Sequence, residues 1–115
     1  VRAVRGLELG GLRGNEVSMS LALYKTGYRA ELRAKKILEG WGFKVVRSAR
    51  SGGPFDLVGW NEVRFTLVQV KVCPTGKLPS FNRLKKKLAK IPVPANCKKE
   101  LWIWERRKGF HYMPI

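Results

Sequence analysis

The run Val68-Gln69-Val70-Lys71-Val72 constrains this chain more than any other stretch. Side chains in a strand alternate between faces, so the three valines share one side and Gln69 and Lys71 share the other. A strand with one fully apolar face has to be covered, which calls for a sheet with a helix laid across it. The neighbouring sequence supplies both. Phe43 to Arg47 and Phe55 to Trp60 read as two shorter strands, joined by a glycine-rich loop from Ser48 to Pro54. Asn61-Glu62 marks a turn into the long strand Val63 to Val72, so the three strands form a β-meander. Ahead of them Met19, Leu23, Ala30, Ala34, Ile37, Leu38 and Trp41 fall on one helical stripe, with an interruption expected near Gly27 and the end marked by Gly40 and Gly42. After Pro74 to Pro79, Ser80 is placed to cap a helix carrying Phe81, Leu84, Leu88 and Ile91, and Pro92-Val93-Pro94 stops it. Leu101 to Trp104 and Phe110 to Met113 complete the order αβββαββ as a hairpin across Arg106-Arg107-Lys108-Gly109.

With 115 residues, of which 44% are hydrophobic, the chain has enough material for one packed core. Residues 1–18, with Gly6, Gly10, Gly11 and Gly14, read as a flexible arm or leader, and residues 19–115 as the single domain. Gly10 to Gly14 is no Walker loop, because the terminal Gly-Lys-Ser/Thr is missing. The 24 Lys and Arg against 8 Asp and Glu give a formal charge of +16. So much charge on a small folded surface selects polyanions, with nucleic acid ahead of an anionic membrane surface, and argues against small neutral substrates. Arg83 to Lys108 alone holds ten bases and two acids, a solvated face or a phosphate-binding one. No apolar run reaches the roughly 20 residues needed to span a bilayer, which fits an intracellular protein. Cys73 and Cys97 show neither zinc spacing nor a disulfide framework and read as free thiols. His111 is the only histidine, which excludes histidine triads and two-histidine metal motifs.

Acids are scarce here, so each one in an apolar setting stands out. Asp56 lies among Phe55, Leu57 and Val58, where an Asp disfavours the strand unless a cation or a backbone amide compensates it. A two- or four-residue turn makes antiparallel partners sum to 123. Asp56 then faces Leu67 and lies diagonal to Gln69 on the same side of the sheet, whereas a three-residue turn would send it to the other side. Glu31 flanks the helical stripe and either turns into a cleft at the sheet edge or pairs with Lys35 one turn on. Oxygen donors with a lysine and no histidine suit Mg²⁺ or Mn²⁺ rather than zinc, and such a cation beside an ammonium suits phosphodiester hydrolysis.

Glu31 on the first helix, Pro54-Phe55-Asp56 entering a strand and Gln69-Val70-Lys71 in the next resemble the PD-(D/E)XK nuclease superfamily. More narrowly, Lys25 to Glu31, Gly42 to Ser51 and Asp56-Leu57-Val58 are similar to archaeal Holliday junction resolvases. The resemblance implies an α/β fold with an αβββαβ restriction-endonuclease-like core, a central mixed sheet flanked by helices, and here an extra C-terminal strand. It implies Asp56, Gln69, the Val70 carbonyl and Glu31 as metal ligands, Lys71 at the transition state and Ser51 near the scissile phosphate. Arg29, Arg47, Arg50, Lys85 and Lys86 would contact DNA. A homodimer acting on four-way junctions with Mg²⁺, or Mn²⁺ in its place, and leaving a 5′-phosphate, is the activity it implies. Gln69 departs from the usual Glu or Asp: the amide keeps an oxygen but removes a charge, so weaker metal binding is expected. The alternatives are a nucleic-acid-binding protein that kept the fold without turnover, and a sequence-specific nuclease of homing or restriction type. Trp102, Trp104 and Phe110 are either a dimer surface or part of the core.

Overall fold

The computed structural model describes residues 14–48 and 53–115. Helix α1 spans Gly14–Gly40, followed by β1 (Lys44–Arg47), β2 (Leu57–Trp60), β3 (Phe65–Cys73), α2 (Asn82–Ala89), β4 (Cys97–Glu105) and β5 (Gly109–Pro114). The strands form one five-stranded sheet in the order β1-β2-β3-β4-β5. Only the β3–β4 pair is parallel; the other three pairs are antiparallel. The parallel pair requires a crossover, which α2 supplies.

Each helix covers one face. Ala30, Ala34 and Leu38 on α1, at a spacing of four, are buried against Val45, Leu57, Val68, Val70 and Trp102. The two alanines keep the helix close to the sheet. On the other face Phe81 and Leu84 pack over Cys73, Leu101 and Ile103. The alternation read in β3 therefore separates two covered faces: the valines lie under α1, while Gln69 and Lys71 point to the side of α2. Among the described residues no helix is long and apolar enough to cross a membrane.

Several boundaries differ from the sequence reading for physical reasons. Helix α1, Gly14–Gly40, passes Gly27 without a break. One interior glycine costs only about 1 kcal/mol, which a long packed helix absorbs. Its end is as expected: Gly42 adopts φ 94°, Phe43 N–H donates to Leu38 and Gly42 N–H to Glu39, a Schellman closure. Ser80 does not cap α2. The N-cap is Phe81 in the left-handed region at φ 56°, with no side-chain cap bond; its partly buried ring packs against the second core cluster instead. Strand β4 begins at Cys97, since Lys98 to Glu100 pair with β3 although they break the apolar pattern. Trp102 is fully buried and Trp104 and Phe110 are half-buried, so these aromatics belong to the core; the exposed ones nearby are Trp41 and Tyr112.

Candidate active site at the edge of the meander

The turn between β2 and β3 holds four residues, Asn61 to Arg64, closed by Asn61 Oδ1 accepting from the amides of Val63 and Arg64. Trp60 pairs with Phe65 and Leu57 with Val68, so partners sum to 125 rather than 123. The slip of two residues preserves the face, as a period-two structure must. It moves Asp56 from a diagonal to Gln69 to a place directly beside it, where Gln69 Nε2 donates to Asp56 Oδ2 at 3.0 Å.

Backbone and side chain hold Asp56 together. Its N–H donates to the Val68 carbonyl and its carbonyl accepts from Ser48 N–H, both at 2.8 Å. Oδ2 also accepts from Val70 N–H at 2.8 Å. The backbone-amide partner weighed from the sequence is thus present, in the same carboxylate that faces Gln69. Burial raises the Asp56 pKa, and the Val70 amide, then Lys71 and Arg47, work against the rise.

Glu31 enters from α1. Its partner is not Lys35, which pairs with Glu39 at 2.9 Å, but Arg47 at the end of β1, whose Nη1 donates to Glu31 Oε1 at 3.0 Å. The Arg47 guanidinium also lies 4.7 Å from the centre of the Tyr28 ring. Burial raises the Glu31 pKa, the charge on Asp56 raises it further, and Arg47 opposes both. The charge of Asp56 acts on Glu31 and Arg47 acts on both, which places the two carboxylates in one electrostatic neighbourhood. No spacing rule could have found the Glu31–Arg47 pair, because it depends on how α1 docks on β1.

Lys71 is exposed, two residues along β3 from Gln69, and its charge acts on Asp56. It borders a cavity of about 540 Å³ with Ser80, Phe81, Asn82, Arg83, Leu84 and Lys87. The bases of α2 beside Lys71 are therefore Arg83 and Lys87, one helical turn apart; Lys85 and Lys86 do not line that cavity. Arg29 is exposed on α1. Ser51 and Arg50 lie outside the described residues.

The donor set fits a hard cation in kind: a carboxylate, a backbone carbonyl and a side-chain amide converge, with a second carboxylate close by. Among the described residues no three His, Cys, Asp or Glu come together, and position 69 carries an amide. Gln69 Nε2 lies 3.0 Å from Asp56 Oδ2 and 3.4 Å from the Val70 carbonyl oxygen, so its N–H groups occupy the space between these two oxygens. For Gln69 to present its oxygen there, the amide has to turn over.

No family model matches the chain, and no curated protein matches it. Among solved structures it is similar to the Holliday junction resolvase of the archaeal hyperthermophile Archaeoglobus fulgidus, with a TM-score of 0.59 and 21% identity, over 75% of this chain and 73% of that one. The chain therefore has the fold of that resolvase: a mixed five-stranded sheet flanked by helices.

Proposed function

We propose that the protein is a divalent-cation-dependent DNA endonuclease of the junction-resolving type, acting as a homodimer. The observation that carries this reading is the meeting of Asp56, Gln69 and the Val70 carbonyl, with Glu31 and Lys71 adjacent, on a fold shared with a resolvase. Asp56, Gln69, the Val70 carbonyl and Glu31 would hold Mg²⁺ or Mn²⁺. When bound, such an ion supplies Lewis-acid stabilisation of phosphoryl charge and a more acidic water. The chain's own groups do the remaining work. The Lys71 ammonium, free to face solvent beside Asp56, stabilises the charge that grows on the phosphate as water attacks phosphorus and the bond to the 3′ oxygen breaks. Arg47 keeps Glu31 aimed into the site and offsets the repulsion between the two carboxylates. Arg83 and Lys87 extend the positive wall beyond Lys71, where the strand leaves the site.

The test is incubation of a labelled four-way junction and its component duplexes with the protein in Mg²⁺ or Mn²⁺. Junction cleavage, lost in Asp56→Asn with binding retained, is the expected result. Equal cutting of junction and duplex would remove the resolving role and leave a nuclease; recurrent cut sites on long duplex would point to the restriction or homing type. A second reading is favoured by the Gln69 amide lying between Asp56 and Val70: a DNA-binding protein without turnover. It predicts binding and no cleavage at any cation concentration, with Gln69→Glu strengthening cation binding measured by calorimetry.

A further inference from the structure

Helix α1 lies across the sheet with different chemistry on its two flanks. Glu31 reaches Arg47 of β1 on one side, while Arg33, two residues on and so turned by about 200°, stacks its guanidinium 4.7 Å from the centre of the Trp104 ring on β4. On this second flank Thr26, Arg29 and Arg33 of α1, Pro74 and Thr75 after β3, and Trp104, Arg106 and Arg107 of the β4–β5 hairpin enclose a cavity of about 540 Å³. Four guanidiniums line it, and among the described residues none of the four has a carboxylate partner. Guanidiniums gathered without acids repel one another, and an anion relieves that repulsion.

The hairpin that brings two of the four is held in place. Arg106 N–H donates to the Cys73 carbonyl at 3.1 Å, Thr75 Oγ1 donates to the Arg106 carbonyl at 2.6 Å, and Lys108 N–H donates to the Glu105 carbonyl at 3.0 Å. Beneath it the buried Glu105 carboxylate accepts from Gly76 N–H at 2.8 Å. At the tip Arg107 sits at φ 68°, a backbone region that favours Gly or Asn. The turn thus keeps a guanidinium where a smaller residue would fold more easily.

We propose that this cavity is an anchor for a backbone phosphate of DNA, separate from the candidate reaction centre: Trp104 puts it on the α1 face of the sheet, whereas Gln69 and Lys71 point to the α2 face and Glu31 leaves α1 on its other flank. A backbone phosphate fits better than a base, because Arg33 already stacks on Trp104 and Phe110 makes a T-shaped contact with it at 5.0 Å between ring centres. The anchor rests on DNA being the partner, as proposed above, but not on cleavage.

The test is fluorescence anisotropy of a labelled four-way junction and of a duplex over a chloride series without divalent cation, so that cleavage does not enter. The variant is Arg106→Ala with Arg107→Asn, which keeps the turn's backbone bonds and suits the left-handed position. Its control is Lys36→Ala with Lys44→Ala, two exposed bases away from the cavity that remove the same charge. The expected result is binding about tenfold weaker than the control's, with a log affinity against log salt slope smaller by about one per lost contact. Binding equal to the control's, with an equal slope, would overturn the anchor. So would inorganic phosphate quenching tryptophan fluorescence in the unaltered protein but not in the hairpin variant, if the variant's DNA binding equals the control's; the cavity would then hold a free anion. A wild-type protein that binds through this cavity and cuts nothing would sink the endonuclease reading and leave the anchor standing.

Discussion

At Asp56 and Glu31 the cation site proposed above and the stability of the fold pull in opposite directions. Both carboxyls are shifted upward from their ordinary values of 3.8 and 4.5, with burial the first cause in each case. A carboxyl whose pKa is higher in the folded chain binds its proton more tightly there. Between the ordinary and the raised value stability therefore falls as pH rises, and above the raised value the whole cost of ionisation is present. Asp56→Asn removes that cost and can keep the Val70 amide bond through its side-chain oxygen. Thermal unfolding should show Asp56→Asn melting above wild type at pH 7, with the gap closing as pH falls toward 4. A variant that melts lower at neutral pH would mean that the attraction of Lys71 and Arg47 outweighs desolvation.

At the scale of elements, α2 shows what local pattern conceals. It has eight residues, too few to stand alone in water, and lacks a side-chain N-cap. What holds its far end is Lys99 on β4, whose Nζ donates to the carbonyls of Leu88, Ala89 and Ile91 at 2.9, 3.0 and 2.9 Å. A cation among the orphan carbonyls of a helix C-terminus satisfies the acceptors and complements the helix dipole. Lys99→Met keeps the aliphatic stem and removes the donors, so it should cost about 1–2 kcal/mol. Hydrogen exchange should quicken in α2 more than in β3; uniform loss across the sheet would show that the clamp acts on the whole core. Sequence reading reached the order αβββαββ because the valines of β3 and the α1 stripe each obey one period. It placed Asp56, Gln69 and Lys71 on one side of the sheet because a slip of two residues leaves faces unchanged. Lys99 escaped it, since a lysine in a strand looks solvated until the partner helix is in place. Ser80 misled it, since the cap rule weighs local hydrogen bonds and not the burial of Phe81. Arg106 and Arg107 were legible as a hairpin turn within a basic run, but their meeting with Arg33 was not, although the spacing of Arg29 and Arg33 already put those two on one side of a helix.

For the molecule as a whole, the formal charge of +16 sets two opposing responses to salt. Among the described residues few of the lysines and arginines are paired, and the salt bridges formed involve only three of them, Lys35, Arg47 and Lys108. The remaining cations repel one another over distances comparable to the Debye length of about 10 Å at 0.1 M salt. Compacting them costs free energy, and added chloride screens that cost. The melting temperature of the protein alone should therefore rise as chloride goes from about 50 mM to about 0.5 M, most of the gain coming early because screening length shrinks fastest there. Binding to DNA should move the other way over the same range, because each phosphate neutralised releases a counterion whose gain shrinks as salt rises. Differential scanning fluorimetry and anisotropy on the same samples give both curves. A melting temperature indifferent to chloride would mean that the positive groups are far enough apart, or near enough to the few acids, to cost the fold nothing; the surface would then carry its charge without strain, and DNA would relieve no repulsion when it binds.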